Sequence, residues 1–157
     1  MKPKIYVETS IVSYLAARPS KNIIVAAYQQ ITHSWWKKHS RNFDLYISEF
    51  VVQESEKGDP KAAQKRIGII DSISLLEFNQ ESLDLAQRLM RKGLFPEKAA
   101  GDASHIAIST VHGMDYLLTW NCKHIANAFI RQALTKILEA EGYEIPVICT
   151  PQELMGE

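Results

Sequence analysis

The sequence predicts an α/β fold, a three-layer α/β/α sandwich with a short central parallel sheet. Short apolar runs alternate with helical patterns along all 157 residues, and this alternation is typical of parallel sheets joined by right-handed crossovers. A length of 157 residues is that of one domain with a sizeable core, and the sequence contains no repeat, low-complexity segment or linker. We therefore expect a single domain over residues 1–157.

Turn and capping residues divide the chain into its elements. The predicted strands cover residues 5–7, 43–47, 72–76, 115–119 and 144–149. Ser20 or Asn22 is expected to cap a helix over the following residues, and Asn79 another, because these side chains accept hydrogen bonds from free helical N–H groups. Further helices are predicted over residues 11–17, 49–57, 61–70, 101–112 and 123–141. Pro146 places the last strand at an edge of the sheet.

Two of these helices carry apolar residues that we expect to face the core. In the helix after Asn79, the inward residues are predicted to be Leu83, Ala86, Leu89 and Met90. In the last helix, the predicted stripe is Ile125, Phe129, Ala133 and Ile137. The helix over residues 101–112 has small residues on its packed face, which predicts a close approach to the sheet.

Composition and charge indicate a soluble globular protein. Hydrophobic residues make up 46% and charged residues 23%, and eighteen basic residues balance eighteen acidic ones. A nucleic-acid partner would therefore need a local basic face. Cys122 and Cys149 have no metal-binding spacing and are expected to be reduced. Glu8 interrupts any signal-peptide core and no apolar run is long enough to span a membrane, so we expect a cytoplasmic protein without a membrane partner.

Polar residues follow the predicted strands at one edge of the sheet. Glu8 comes directly after the first strand, and Asn121 stands at the tip of the fourth. Glu54 lies about two turns into the helix after the second strand, and Asp102 opens the helix before the fourth. Parallel sheets place their ligand crevice at the carboxyl ends of the strands. These four side chains are therefore predicted to converge in one cleft.

A different interpretation is open for the first of these acids. Thr9 or Ser10 can cap the helix that follows the first strand, and Glu8 would then only favour the helix start through its charge.

Converging carboxylates point to a divalent metal ion. They raise one another's pKa unless a cation neutralises them, and Mg²⁺ commonly uses one or two carboxylates together with water. The sequence has no histidine–cysteine cluster for zinc, no phosphate-binding Gly-x-x-x-x-Gly-Lys loop and no Gly-x-Ser-x-Gly nucleophile elbow. His105 is interpreted as a packed, hydrogen-bonded residue, with substrate contact as the alternative, and Asp115 as a turn residue at the start of the fourth strand.

Four motifs resemble those of PIN domains, in particular the small bacterial proteins that include VapC-type toxins. The motifs, in order and at similar spacing, are Val7-Glu-Thr-Ser10, Ser48 with Glu54, Gly101-Asp-Ala-Ser-His-Ile-Ala107 and Tyr116-Leu-Leu-Thr-Trp-Asn121. The resemblance implies an Mg²⁺- or Mn²⁺-dependent ribonuclease with a ring of acids. By position it assigns catalytic and metal-binding roles to Glu8, Glu54, Asp102 and Asn121. It also implies a homodimer and a small antitoxin protein as partner.

Two positions depart from the family pattern. The first acid is usually Asp, so Glu8 extends its carboxylate by roughly 1.5 Å. The last acid is often Asp, whereas Asn121 supplies an oxygen without charge. A catalytically weak or inactive RNA-binding or partner-binding protein is therefore the alternative function. A phosphoacceptor receiver is a third, but the sequence upstream of Glu8 offers only Lys2 and Lys4 where that fold needs an acidic pair.

Basic residues in the first half of the chain are candidates for RNA contact, although a charge run at a helix end is more often a solvated tip. They form two groups, the first around the end of the long second helix and the second in the helix over residues 61–70. The residues are Lys37, Lys38 and Arg41 in the first group, and Lys61, Lys65 and Arg66 in the second.

Overall fold

Five short parallel strands form the central sheet of the computed structural model, which describes residues 1–156. The strands are β1 (Lys4–Val7), β2 (Asp44–Ser48), β3 (Ser74–Leu76), β4 (Tyr116–Leu118) and β5 (Val147–Cys149). They lie in the order β3-β2-β1-β4-β5, and every neighbouring pair is parallel. The last residue of the predicted domain, Glu157, lies outside the described residues.

Within the described residues, seven helices cover this sheet and make the predicted three-layer α/β fold. They are α1 (Thr9–Ala16), α2 (Ile23–His39), α3 (Glu49–Ser55), α4 (Pro60–Ile70), α5 (Gln80–Arg91), α6 (Ala100–Val111) and α7 (Ala128–Ala140). The side chains of Asn22 and Asn79 cap α2 and α5, as the sequence indicates. Short 3-10 turns lie at Ser40–Asn42, Glu97–Ala99 and Pro151–Leu154. The fold class is confirmed.

Strand β1 and helix α6 contribute long buried runs to the core. Ile5, Tyr6 and Val7 of β1 are fully buried, and every residue of α6 from Ala103 to Thr110 is buried. Helix α6 makes its most extensive close backbone contacts with α5 rather than with a strand, so the predicted close approach of its small residues to the sheet is not confirmed. This packing fixes the position of the first turn of α6, which carries Asp102.

The predicted inward face of α5 is partly wrong. Leu83 is 37% exposed, whereas Leu85 and Leu89 are fully buried. Ser82, Leu85, Ala86 and Leu89 are all buried and follow the i, i+3, i+4, i+7 pattern of a single helix face. Leu83 lies one residue outside this pattern, about 100° around the helix.

The last helix begins later than predicted. Asn127 caps α7 by accepting hydrogen bonds from two following N–H groups, so the residues from 121 to 127 form turns instead of helix. The buried face carries Leu134 and Leu138, while Phe129 is 87% exposed. Phe129 lies five residues before Leu134, which rotates it by about 140° on the helix. The predicted stripe through Phe129 is therefore wrong.

The strand order creates a topological switch between β1 and β4. From β1 the chain builds outward through β2 to β3, then crosses to the other side of β1 to form β4 and β5. β5 is an edge strand and Pro146 immediately precedes it, as predicted for a residue without an N–H group. Open α/β sheets bind ligands at such a switch, outside the carboxyl ends of the strands.

Within residues 1–156, no helix has the length and apolar character needed to cross a membrane.

Candidate functional site

Glu8 lies at the carboxyl end of β1, beside the topological switch. It is only 5% exposed. Its own side chain caps α1, because Glu8 Oε2 accepts a hydrogen bond from the Ser10 N–H group at 3.0 Å. The prediction that Thr9 or Ser10 caps this helix is therefore wrong. The carboxylate of Glu8 reaches the free N–H groups of the first turn itself.

Two hydroxyl groups hold the other oxygen of Glu8. Ser10 Oγ and Thr119 Oγ1 each donate to Glu8 Oε1 at 2.5 Å. Both hydroxyl oxygens also accept from backbone N–H groups that follow β4, Ser10 Oγ from Trp120 at 2.8 Å and Thr119 Oγ1 from Asn121 at 2.9 Å. Since those N–H groups can only donate, the hydroxyl protons are directed at Glu8. The chain after β4 thereby orients the acid that follows β1.

Glu54 projects from the last turn of α3 toward Glu8. Its Oε1 accepts a hydrogen bond from Thr9 Oγ1 at 2.7 Å and lies 2.6 Å from His105 Nε2. Its side chain is 37% exposed. Oε2 has no hydrogen-bond partner among residues 1–156, and it faces Gly101, where a Cβ atom would lie 3.8 Å away. Glu54 therefore keeps one free carboxylate oxygen at the cleft.

His105 connects Glu54 to the interior of the sheet. Its ring is fully buried, and Nδ1 lies 2.6 Å from the Tyr6 hydroxyl. The Tyr6 hydroxyl lies in turn 2.7 Å from Ser48 Oγ, at the end of β2. The predicted packed and hydrogen-bonded role of His105 matches this arrangement. The chain of contacts fixes the imidazole ring behind the carboxylate.

The ion pair of Glu54 and His105 shifts the pKa of both groups. Burial alone would raise the pKa of Glu54, but the hydrogen bond and charge of His105, helped by Thr9 and Lys57, lower it. Burial would lower the pKa of His105, but the hydrogen bond to Glu54 and the charges of Glu8, Glu54 and Asp102 raise it. The charged forms of both groups are therefore favoured.

Asp102 lies in the first turn of α6, one turn before His105, and makes a separate set of contacts. Asn121 Nδ2 donates to Asp102 Oδ1 at 3.0 Å, and His124 Nδ1 lies 3.0 Å from Asp102 Oδ2. The side chains of Asp102 and His124 are 19% and 17% exposed. Asp102 is thus held by the turns after β4, while its charge still acts on His105.

The orientation of the Asn121 amide is fixed by the backbone. Asn121 Oδ1 accepts a hydrogen bond from the His124 N–H group at 3.1 Å. Rotating the amide by 180° would place its NH₂ group against that N–H donor, so the oxygen must face His124. In this arrangement Asn121 presents donor hydrogens to Asp102. Asn121 Oδ1 keeps a second lone pair, so its role as an oxygen ligand stays a prediction.

The four predicted site residues thus fall into two adjoining groups. Ligand atoms of Glu8, Glu54 and His105 lie within 4.8 Å of one another. Asp102 and Asn121 form the second pair, through their direct hydrogen bond. Three carboxylates near one histidine leave an excess of negative charge that a divalent cation can neutralise, and carboxylate oxygens are the ligands that Mg²⁺ and Mn²⁺ accept. The donor set therefore fits a hard metal ion.

Several residues that build this site were not identified as such from the sequence. Thr9 and Thr119 appear in the motifs, but only the folded chain shows that their hydroxyls hold Glu54 and Glu8. His124 was expected within a helix and instead lies in the turns after β4, against Asp102. A histidine three residues after Asn121 was the available signal.

Other polar residues lie away from the cleft. Asp115 accepts a hydrogen bond from the Lys4 N–H group at the amino ends of the strands, in agreement with its predicted turn role. Lys37, Lys38 and Arg41 precede β2 and therefore lie at the same amino edge. The guanidinium group of Arg66 donates to the carbonyl groups of Ser55, at 2.9 Å, and Lys57. Arg66 is thus engaged in holding the end of α3.

Solved structures share this architecture. One is a VapBC2 complex from Rickettsia felis bound to a DNA fragment from its promoter. A chain of that complex aligns over 94% of this chain and 98% of its own length, with a TM-score of 0.57 and 15% sequence identity. VapC20 of Mycobacterium tuberculosis is a toxin that cleaves the sarcin–ricin loop. Its structure aligns over 78% of this chain and 93% of the VapC20 chain, with a TM-score of 0.61 and 16% sequence identity. The chain has a VapC-like PIN fold. The predicted resemblance is thereby confirmed at the level of the fold, whereas no family profile and no curated protein matches the sequence.

Proposed function

We propose that this PIN-fold chain is a metal-dependent endoribonuclease, the toxin component of a toxin–antitoxin pair. The observation that carries the proposal is the position of Glu8, Glu54 and Asp102 at the carboxyl edge of the sheet, beside the switch between β1 and β4. The similar fold of VapC20, a sarcin–ricin loop-cleaving toxin, supports RNA as the substrate.

Glu8, Glu54 and Asp102 are the residues that would hold Mg²⁺ or Mn²⁺. A bound divalent ion would neutralise their charge, polarise a phosphate oxygen and lower the pKa of a bound water. Glu54 has a free oxygen for this purpose. Glu8 Oε2 takes only the N–H group of Ser10, so it retains acceptor capacity. Asn121 acts on this set through Asp102.

The surrounding residues pre-organise the carboxylates. Ser10 and Thr119 fix the rotamer of Glu8, and Thr9 with His105 fixes that of Glu54. A site held in advance by hydrogen bonds loses less free energy to reorganisation when substrate and metal bind. These four residues are therefore positioning residues in the proposed reaction.

We also propose a protein partner and a cellular location for this toxin. The VapBC2 structure is described as a VapBC assembly on promoter DNA, which supports a small antitoxin as the partner of this chain. A homodimer and a cytoplasmic location, where RNA substrates are available, complete the proposal. Light scattering of the purified chain tests the homodimer, and co-purification with the product of a short neighbouring reading frame tests the antitoxin.

One observation favours the alternative of a non-catalytic RNA-binding or partner-binding protein. Asp102 already has a donor on each oxygen, Asn121 on one and His124 on the other. Two donors already stabilise the negative charge of Asp102, so a metal ion would stabilise it less than it stabilises unpaired carboxylates in a metal site.

An RNA-cleavage assay separates the two functions. Purified protein is incubated with total RNA and with a labelled single-stranded oligoribonucleotide, in EDTA, Mg²⁺ or Mn²⁺. We expect cleavage only with metal and only by protein that retains Asp102, so Asp102→Asn should be inactive. Asp44→Asn is the matched control, because Asp44 is exposed at the amino end of β2.

Binding of RNA without cleavage under any condition would favour the alternative function. Cleavage that persists in EDTA, or in Asp102→Asn, would contradict the metal-dependent mechanism.

A further inference from the structure

Three aromatic side chains form a cluster beside the carboxylates. Trp120 stacks on Tyr28 with ring centroids 4.1 Å apart and an interplanar angle of 15°. Tyr14 packs against both, with centroids 6.3 Å from Trp120 and 6.5 Å from Tyr28. We call Tyr14, Tyr28 and Trp120 the aromatic cluster. It joins α1, α2 and the end of β4.

The aromatic cluster is connected directly to the acid site. The backbone N–H group of Trp120 donates to Ser10 Oγ, which donates to Glu8. Tyr14 follows Ser10 by four residues in α1, and residues at this spacing lie on the same helix face. Burial raises the pKa of Tyr14, and Cys122, Tyr28 and Glu8 contribute to the shift in the same direction. Tyr14 therefore lies on the same face of α1 as Ser10, which holds Glu8 in the cleft.

The inner part of the aromatic cluster is fixed, and its outer part is open. Trp120 is 7% exposed, and its Nε1–H donates to Thr32 Oγ1 at 2.7 Å. Thr32 is fully buried and donates to the Tyr28 carbonyl at 2.6 Å, which locks the Trp120 ring against α2. Tyr14 and Tyr28 are only half-buried. Within residues 1–156, the hydroxyl groups of Tyr14 and Tyr28 have no hydrogen-bond partner.

We propose that Tyr14, supported by Tyr28 and Trp120, stacks a nucleobase of the RNA next to the phosphate held at the acid site. This inference rests on the proposed function and adds a requirement on the substrate. A base can stack on a side chain only when it is unpaired, and such stacking tolerates every base because each has a π face. The substrate is therefore single-stranded or locally opened at that nucleotide. The Tyr14 hydroxyl is free to donate a hydrogen bond to the stacked nucleotide.

RNA binding without catalysis tests the stacking role. Fluorescence anisotropy is measured in EDTA and low salt with a labelled single-stranded 12-nucleotide RNA. We expect Tyr14→Leu to bind about 5- to 100-fold more weakly, the range for loss of one stacked base, while Tyr14→Phe keeps the ring and most of the affinity. Tyr143→Leu is the matched control, because Tyr143 lies beyond the far end of α7 and donates to Glu81. A 12-base-pair duplex of the same sequence should bind wild type and Tyr14→Leu equally.

A second measurement reads the stacking role from wild type itself, so that it does not depend on the folding of Tyr14→Leu alone. An abasic nucleotide is placed at each position of the same RNA in turn. Wild type should lose affinity at one or two positions, and Tyr14→Leu should be insensitive there. Melting curves check that each variant is folded, and Tyr14→Trp, which enlarges the ring, should retain the wild-type abasic profile.

The outcomes separate this inference from the proposed function. Equal RNA affinity of wild type, Tyr14→Phe and Tyr14→Leu, or a flat abasic profile in wild type, would overturn the stacking role. If wild type then still cleaves RNA with Mn²⁺, the nuclease proposal survives without it. A wild-type chain that neither binds nor cleaves RNA overturns both.

Discussion

Asn121 donates a hydrogen bond to Asp102, with 3.0 Å between Nδ2 and Oδ1. The His124 N–H group holds the amide in the orientation that makes this possible. Asp102 thereby gains a neutral donor at a position where the sequence motif often has a further carboxylate. The charge of the site and its affinity for metal should therefore depend on this one amide.

Asn121→Asp tests that dependence. A carboxylate at this position places a second negative charge about 3 Å from Asp102, where the amide now donates, so the metal-free variant should melt at a lower temperature than wild type. Added Mn²⁺ should bind this variant more tightly than wild type and should raise its melting temperature again. Calorimetric titration with Mn²⁺ measures the affinity. An affinity equal to or weaker than that of wild type would show that the site does not lack charge at Asn121.

Asp102→Asn should remove most of the stabilisation that metal gives. An ion that binds only the folded state at a hundredfold excess over its Kd stabilises it by about 2.7 kcal/mol. For a chain of this length that corresponds to a rise in Tm of roughly 5–10 °C. Without metal, Asp102→Asn should be about as stable as wild type, because the amide keeps an oxygen for one donor and relieves repulsion.

Melting curves of wild type, Asp102→Asn and the control Asp44→Asn, in EDTA and in excess Mn²⁺, provide the measurement. Asp44→Asn should show the full metal-dependent rise. A wild type whose Tm does not respond to Mn²⁺, beside a destabilised Asp102→Asn, would instead make Asp102 only a favourable charge at the start of α6.

The salt dependence of RNA binding should distinguish two basic groups. Helix α4 returns the chain to the start of β3, so its first turns, with Lys61 and Lys65, lie toward the carboxyl edge. Arg18, Lys61 and Lys65 line one cavity between the end of α1 and α4. Neutralising these three by Gln should flatten the plot of log affinity against log salt concentration, because fewer counterions are released.

The matching triple substitution of Lys37, Lys38 and Arg41 lies at the opposite edge of the sheet and should leave the slope unchanged. This replaces the expectation from sequence alone that the group around Lys37 contacts RNA. An unchanged slope in the first variant and a reduced slope in the second would reverse the assignment.

The pair of Glu54 and His105 should give the metal-free protein a stability maximum in mild acid. The pKa of Glu54 is lowered by folding, so its contribution is complete above its unfolded value of 4.5 and is lost as the pH falls. The pKa of His105 is raised by folding, so its contribution is complete below its unfolded value of 6.5 and is lost as the pH rises through the folded value. The two contributions are therefore both complete between pH 4.5 and pH 6.5, where the free energy of unfolding should be highest.

Urea unfolding in EDTA at a series of pH values measures this profile. Glu54→Gln removes the charge but can keep the hydrogen bond from Thr9, so its profile should be flatter on both sides. A Glu54→Gln profile parallel to that of wild type would show that the pair does not govern the pH dependence.

Local sequence signals predicted the elements better than their faces. Asn22 and Asn79 cap the helices that the sequence assigned to them, because a cap acts over three residues. The inward face of α5 was misjudged because Leu83 and Leu85 are equally apolar, and only the packed sheet distinguishes them. The start of α7 was misplaced because the turns from residue 121 to 127 depend on contacts with Asp102 and β4.

In the candidate site, too, the positions of residues could be predicted from the sequence, but the directions of their side chains could not. The position of Glu8, Glu54 and Asp102 at one sheet edge follows from strand order and could be predicted. The orientation of each side chain could not, because its partners come from distant segments. Glu54 meets His105 across 51 residues, and Glu8 meets Thr119 across 111. The direction of the Asn121 amide depends on a backbone N–H group in a turn that the sequence assigned to a helix.

The capping of α1 by Glu8 ties local folding and chemistry to a single side chain. Any substitution that discards the carboxylate, such as Glu8→Ala, also removes the acceptor for the Ser10 N–H group and for two hydroxyl protons. Loss of activity in such a variant would report misfolding as readily as chemistry. The same coupling predicts that an acid at this position stabilises the fold even in a relative that does not cleave RNA. An acid at this position in a relative would therefore indicate a requirement of the fold as much as catalytic activity.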